Sequence, residues 1–113
     1  MLHVSAASDV YKRQQLFERV GISKGMRVLD VGCATGEVSQ LVSEMVGAEG
    51  EVVGIDASEQ MIEMAQQNNA GSNITYLQQD IYDLPENLGQ FDAIVGRRVL
   101  MYLKDPHRAL HIL

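Results

Sequence analysis

The chain is short of several things, and each shortage excludes something. It carries one cysteine, Cys33, in 113 residues. No internal disulfide can form, and a reducing compartment is expected. Lys and Arg number 9 against 15 Asp and Glu, a net charge of −6. The basic face that phosphate-backbone binding requires is therefore lacking, and nucleic acid is not an expected partner. No apolar run approaches the roughly 20 residues of a membrane-spanning helix. No charged stretch followed by an apolar one opens the chain, so a cytoplasmic location is expected. Repeats, charge blocks and low-complexity tracts are missing too. What remains is 46% hydrophobic and 21% charged, the profile of a soluble globular domain. The length fits one domain, with roughly two thirds of its surface available for burial.

The first residues look foreign to such a domain. Asp9–Gln14 back-translates to GAT GTG TAT AAG AGA CAG, and Ser5–Ser8 to TCG GCA GCG TCA. Joined, they resemble the adapter of transposase-based sequencing libraries. Residues 1–14 are expected to be a non-native, adapter-derived segment and are set aside from fold reasoning. His3 and Tyr11 then have no claim to function.

Beyond residue 14 the pattern is regular. Leu16, Phe17 and Val20 form the apolar face of a helix end, and Gly21 stands where a helix stops. Met26–Val31 is short, apolar and β-branched, as a buried strand is. Gly32–Gly36 is a glycine-bearing loop. Val38, Leu41, Val42, Met45 and Val46 recur with helical spacing, and the segment from Gly47 to Gly50 breaks that helix. Glu51–Ile55 predicts a second strand ending at Asp56. Ser58 can cap a helix whose Met61, Ile62 and Ala65 face inward. Ile74–Leu77 predicts a third strand, closing on Gln78-Gln79-Asp80, and Phe91–Val95 a fourth, followed by Gly96 and Arg97. Asp105-Pro106 opens a last helix.

Alternating strands and helices predict a parallel sheet with right-handed crossovers, an α/β doubly wound fold with strand order 3-2-1-4. Ligands in such sheets sit outside the carboxyl ends of the strands. The Gly32–Gly36 loop, Asp56, Asp80 and Arg97 all fall at those ends. Gly32 and Gly36 permit positive φ and close backbone approach. The helix that follows offers free N–H groups to an anionic group. Asp56 can accept from two vicinal ribose hydroxyls; alternatively it caps the next helix. Asp80 can reach an adenine amino group, or simply turn the chain.

The segments MRVLDVGCATG (26–36), VVGIDASEQMIEMA (52–65), YLQQDIYDLP (76–85) and FDAIVGRRVLMYLKDP (91–106) together resemble the class I S-adenosylmethionine-dependent methyltransferases. Ala34 replaces the middle glycine of that family's usual G-x-G-x-G. The resemblance implies a Rossmann-like fold, S-adenosyl-L-methionine as cofactor and methyl transfer to an acceptor. It implies that Asp30, Gly32, Cys33, Ala34 and Gly36 line the methionine part of the cofactor. Asp56 would hold the ribose, with Met61, or the backbone near Ala57, covering the adenine. Asp80 and Ile81 would bracket the adenine edge, and Arg97 would approach the methionine and the acceptor. A small-molecule acceptor is expected, with no catalytic residue assignable.

Other chemistry is weaker. A nicotinamide oxidoreductase would need a third glycine where Glu37 stands, and a glutamate there would crowd the packing and repel a pyrophosphate. Cys33 reads as a small buried turn residue. His107 and His111 lack a third ligand, so no metal is expected. The family fold normally runs on through three more strands, so residues 15–113 are expected to be its cofactor-binding part, and the isolated chain to be inactive. A non-catalytic, cofactor-binding fragment is the alternative reading. The fourth strand would then be a sheet edge beside the apolar run Val99–Leu103, a template for self-association.

Overall fold

The computed structural model describes residues 2–3, 10–69, 71–96 and 100–103. Along the chain these form β1 (Leu2–His3), α1 (Val10–Arg19), β2 (Arg27–Val31), α2 (Glu37–Val46), β3 (Glu51–Asp56), α3 (Glu59–Asn68), β4 (Ile74–Gln78), β5 (Ala93–Gly96) and β6 (Leu100–Leu103). Two 3-10 turns, Ile81–Asp83 and Glu86–Leu88, lie between β4 and β5. The helix expected at Asp105-Pro106, and with it His107 and His111, lies outside the described residues.

The sheet runs β1-β6-β5-β2-β3-β4. Its parallel part, β4-β3-β2-β5, is the Rossmann-like order expected from the sequence. β2 is central and is buried on both faces. Val28 belongs to the core beneath the helices, while Leu29 and Val31 belong to the core on the opposite face. The helical side is filled by Phe17 from α1 and Val20 just after it, Val38, Val42 and Val46 from α2, and Ile62 and Ala65 from α3. A fully buried valine such as Val42 contributes roughly 1.5–3 kcal/mol. On the other face, Leu84, Leu88 and Phe91 from the β4–β5 connection cover Leu29, Val53 and Ile94.

The helix ends follow local chemistry. Gly36 precedes α2 with φ 92°, and Gly47 follows it with φ 70°, donating its N–H to the Ser43 carbonyl. Ser58 caps α3 as expected, its Oγ accepting from the Met61 N–H at 3.3 Å. At the end of the sheet remote from these loops, the Arg27 N–H donates to Asp92 Oδ2 at 2.9 Å, and its guanidinium lies 4.2 Å from the Phe91 ring centre.

One expectation is overturned. β5 is not an edge, because β6 returns antiparallel beside it with Ala93 opposite Leu103 and Ile94 opposite Tyr102. Leu100–Leu103 of the apolar run read as a flank form that strand. It pairs with β5 at Ala93 and Ile94, so β5 is not the open edge on which self-association was expected. A second difference concerns α1, which begins at Val10 and so takes in five residues of the segment set aside as foreign. Leu2–His3 pairs with Leu100 and Met101 of β6.

Candidate functional site

The loop after β2 is the hub of the site. Its turn is closed by the Gly36 N–H donating to the Cys33 carbonyl at 2.9 Å. It is tied sideways to β3 by the Cys33 N–H on the Ile55 carbonyl, also at 2.9 Å. Gly32 and Gly36 adopt positive φ, 69° and 92°, and Ala34 does too, at 49°. A side chain at Gly32 would meet nothing within 4 Å. At Gly32 the loop therefore presents bare backbone to open space, as a cradle for a closely approaching ligand must.

Asp56 ends β3 beside that loop. Its Oδ2 accepts from the Ala34 N–H at 3.0 Å and its Oδ1 from the Ser58 N–H at 2.9 Å. The residue is half-buried. A carboxylate offers about four lone-pair positions, so each oxygen keeps one for a further donor. Two vicinal hydroxyls are donors of that kind. The two alternatives for Asp56 are thus compatible in one geometry: it supports the chain at Ser58 and still faces the loop.

Further along, the Gln79 N–H donates to the Asp56 carbonyl at 3.0 Å, and Gln78 Nε2 to the Ala57 carbonyl at 3.2 Å. These bonds lace the end of β4 to that of β3 and bring Asp80 beside Asp56 and Ala57. Asp80 turns the chain, its Oδ1 accepting from the Tyr82 N–H at 2.9 Å. It is exposed, as is Ala57, while Met61 and Ile81 are half-buried. Gly32, Ala34, Asp56, Ala57, Met61, Asp80 and Ile81 thus share the carboxyl end of β2, β3 and β4. Arg97 lies outside the described residues.

Asp30 and Cys33 sit behind this surface. Asp30 is 1% exposed and its Oδ2 accepts from Ser39 Oγ at 2.6 Å, under α2. Cys33 is buried, and burial, with Asp30 and then Asp56 nearby, pushes its thiol up to about 12. A thiol so strongly held in its neutral form is no nucleophile at neutral pH. Sequence reasoning missed Ser39 and Tyr76, which fill the space below the loop. Gly54 was their signal: it pairs in register with Tyr76, and a glycine inside a strand marks the close approach of something large.

The acceptor positions that remain on Asp56 suit a pair of neighbouring hydroxyls, and the half-buried Met61 and Ile81 form an apolar flank beside them. Among the described residues no helix is long and apolar enough to cross a membrane.

Comparison with known proteins points the same way. Residues 22–113 match the family model described as a methyltransferase domain. The demethylmenaquinone methyltransferase of Staphylococcus aureus (strain MRSA252) is 36% identical over 106 residues, which cover 87% of this chain and 44% of that protein. The chain thus spans less than half the length of the curated relatives it matches. A SAM-dependent methyltransferase from Aquifex aeolicus superposes with a TM-score of 0.61 at 31% identity, over 64% of this chain and 40% of that one. A protein-L-isoaspartate O-methyltransferase superposes at 0.67 and 32% identity, over 73% and 27%.

Proposed function

The chain belongs to the class I S-adenosylmethionine-dependent methyltransferase family, and on that premise we propose that its Gly32–Gly36 loop and Asp56 seat this cofactor for methyl transfer to a small-molecule acceptor. The observation that carries the reading is Asp56, bound to the loop backbone at Ala34 while each of its oxygens keeps a lone pair for a ribose hydroxyl. Bound there, the cofactor supplies a methyl group already activated on a sulfonium. The residues named here bind and orient. The loop backbone fixes the methionine end, Asp56 fixes the ribose, and Met61 and Ile81 exclude water from the base. Alignment for in-line displacement follows from holding those three points at once. Asp30 acts from behind the loop rather than on its surface.

The S. aureus relatives are named for a demethylated quinone, which makes an electron-rich demethylquinol the first acceptor to offer. The single buried, unpaired thiol supports a reducing, cytoplasmic location.

Calorimetric titration tests the seat. The chain is expected to bind S-adenosylmethionine or S-adenosylhomocysteine, and Asp56→Ala to weaken that binding about a hundredfold or more, since two charge-assisted hydrogen bonds of roughly 1.5–3 kcal/mol each are lost. Binding of NADH with no heat from either sulfur ligand overturns the reading.

A further inference from the structure

A polar cluster lies beneath the glycine loop. Tyr76 is 4% exposed, Ser39 0% and Asp30 1%. Ser39 Oγ donates to Asp30 Oδ2 at 2.6 Å. The Tyr76 hydroxyl is hydrogen-bonded with the side chains of Ser39 and Gln40 and also reaches the Gly36 carbonyl at 3.5 Å. That same carbonyl takes the Gln40 N–H at 2.9 Å, the first hydrogen bond of α2. Burial raises the phenol above its ordinary range, which keeps the hydroxyl protonated.

Two glycines on separate elements make room for this one side chain. A Cβ on Gly36 would run into the Tyr76 hydroxyl. A Cβ on Gly54 would lie 2.8 Å from Tyr76 Cδ1 and 2.9 Å from Ser39 Oγ. A phenylalanine would fill the ring space without burying a hydroxyl, so core filling alone does not account for a tyrosine. The hydroxyl sits at the corner where the loop turns into the helix, and there it touches backbone that no side chain of the loop supports.

We propose that Tyr76 is a positioning residue of the cofactor seat: with Ser39 and Asp30 it holds the Gly36 corner from below, so that the first-turn N–H groups of α2 and the loop backbone keep the direction that the ligand needs. The inference rests on the reading of this loop as the cofactor seat. Tyr76 touches no ligand. It acts through Gly36, and it ties the outer strand of the parallel sheet to the loop of the central one.

The test joins two measurements on the 113-residue chain and its Tyr76→Phe variant: calorimetric titration with S-adenosylhomocysteine, and site-resolved amide exchange without ligand. The expected result is about three- to tenfold weaker binding, the size of one net hydrogen bond, with faster exchange at Gly36 and Gln40 and unchanged exchange along Val52–Ile55. Equal affinity and equal exchange in the two proteins overturn the proposal. So does a uniform rise in exchange through the sheet, which would mark Tyr76 as bulk packing. If the unsubstituted chain takes up no S-adenosylhomocysteine while Gly36 and Gln40 still exchange faster in the variant, the cofactor reading fails and the hold on the loop corner stands.

Discussion

Ala34 shows how a single position records both the fold and a departure from the usual motif. Its φ of 49° is the one positive value outside glycine among the described residues. An L-residue there costs about 1–2 kcal/mol relative to its preferred regions. The strain persists because the Ala34 N–H is held by Asp56 Oδ2 at 3.0 Å and the flanking Cys33 and Gly36 are bonded to β3 and to each other. Substituting Ala34→Gly should therefore raise stability by about 0.5–1 kcal/mol, read from the urea midpoint at constant slope. A loss of stability would mean that the alanine methyl packs usefully. The replaced glycine was legible in the sequence; the strain that it leaves behind was not, because φ is a property of the closed loop. Asp56 was legible as an acid at a strand end, and its two backbone donors were not, since one of them lies 22 positions away.

Among the elements, α2, α3 and the strands from β2 to β4 were readable because their apolar residues repeat with one period and stop at Gly36, Gly47 and Ser58. β6 was not. Its four residues are apolar without alternation, and only the partner strand decides whether such a run flanks a sheet or joins it. α1 was read late, from Gln15, because the residues before it matched a foreign pattern; yet Lys12, Arg13 and Gln14 continue its turns. Helix geometry does not ask where a residue came from, and a polar stretch next to Phe17, which is 1% exposed, is carried along. Removing residues 1–9 leaves α1 whole and, among the described residues, takes away the pairing of Leu2 and His3 with β6. The expected change is within about 0.5 kcal/mol, as for most surface alterations. A loss above about 1 kcal/mol in thermal or urea unfolding would show that β1 is a working part of the sheet.

At the scale of the whole molecule, the buried acids of the loop region set an alkaline limit. The Cys33 thiol is raised from 9.0 to about 12, by burial first and then by Asp30 and Asp56. Burial likewise raises the Tyr76 phenol above its ordinary 10.0. In both, the folded chain holds its proton more tightly than the unfolded chain does. Their contribution is complete below about pH 9, and stability falls as the pH climbs from there toward 12, because the unfolded state ionises first. Urea unfolding between pH 7.5 and 11 should show this decline, and Cys33→Ser with Tyr76→Phe should flatten it. A decline that survives both substitutions would place the alkaline limit elsewhere.

β2 pairs on one side with β3, the next strand in the chain, and on the other with β5, where Val28 meets Ala93. Every candidate ligand contact among the described residues, from Gly32 to Ile81, precedes β5. Synthesis delivers the chain from its N-terminus at roughly 5–20 residues per second. The described part of the proposed seat therefore leaves the ribosome before the strand that closes the far side of β2. For about one to two seconds the nascent protein carries these candidate contacts beside a bare central strand. A ligand caught at that stage would stabilise the half-built sheet by mass action during the interval when its open edge is most exposed to wrong partners.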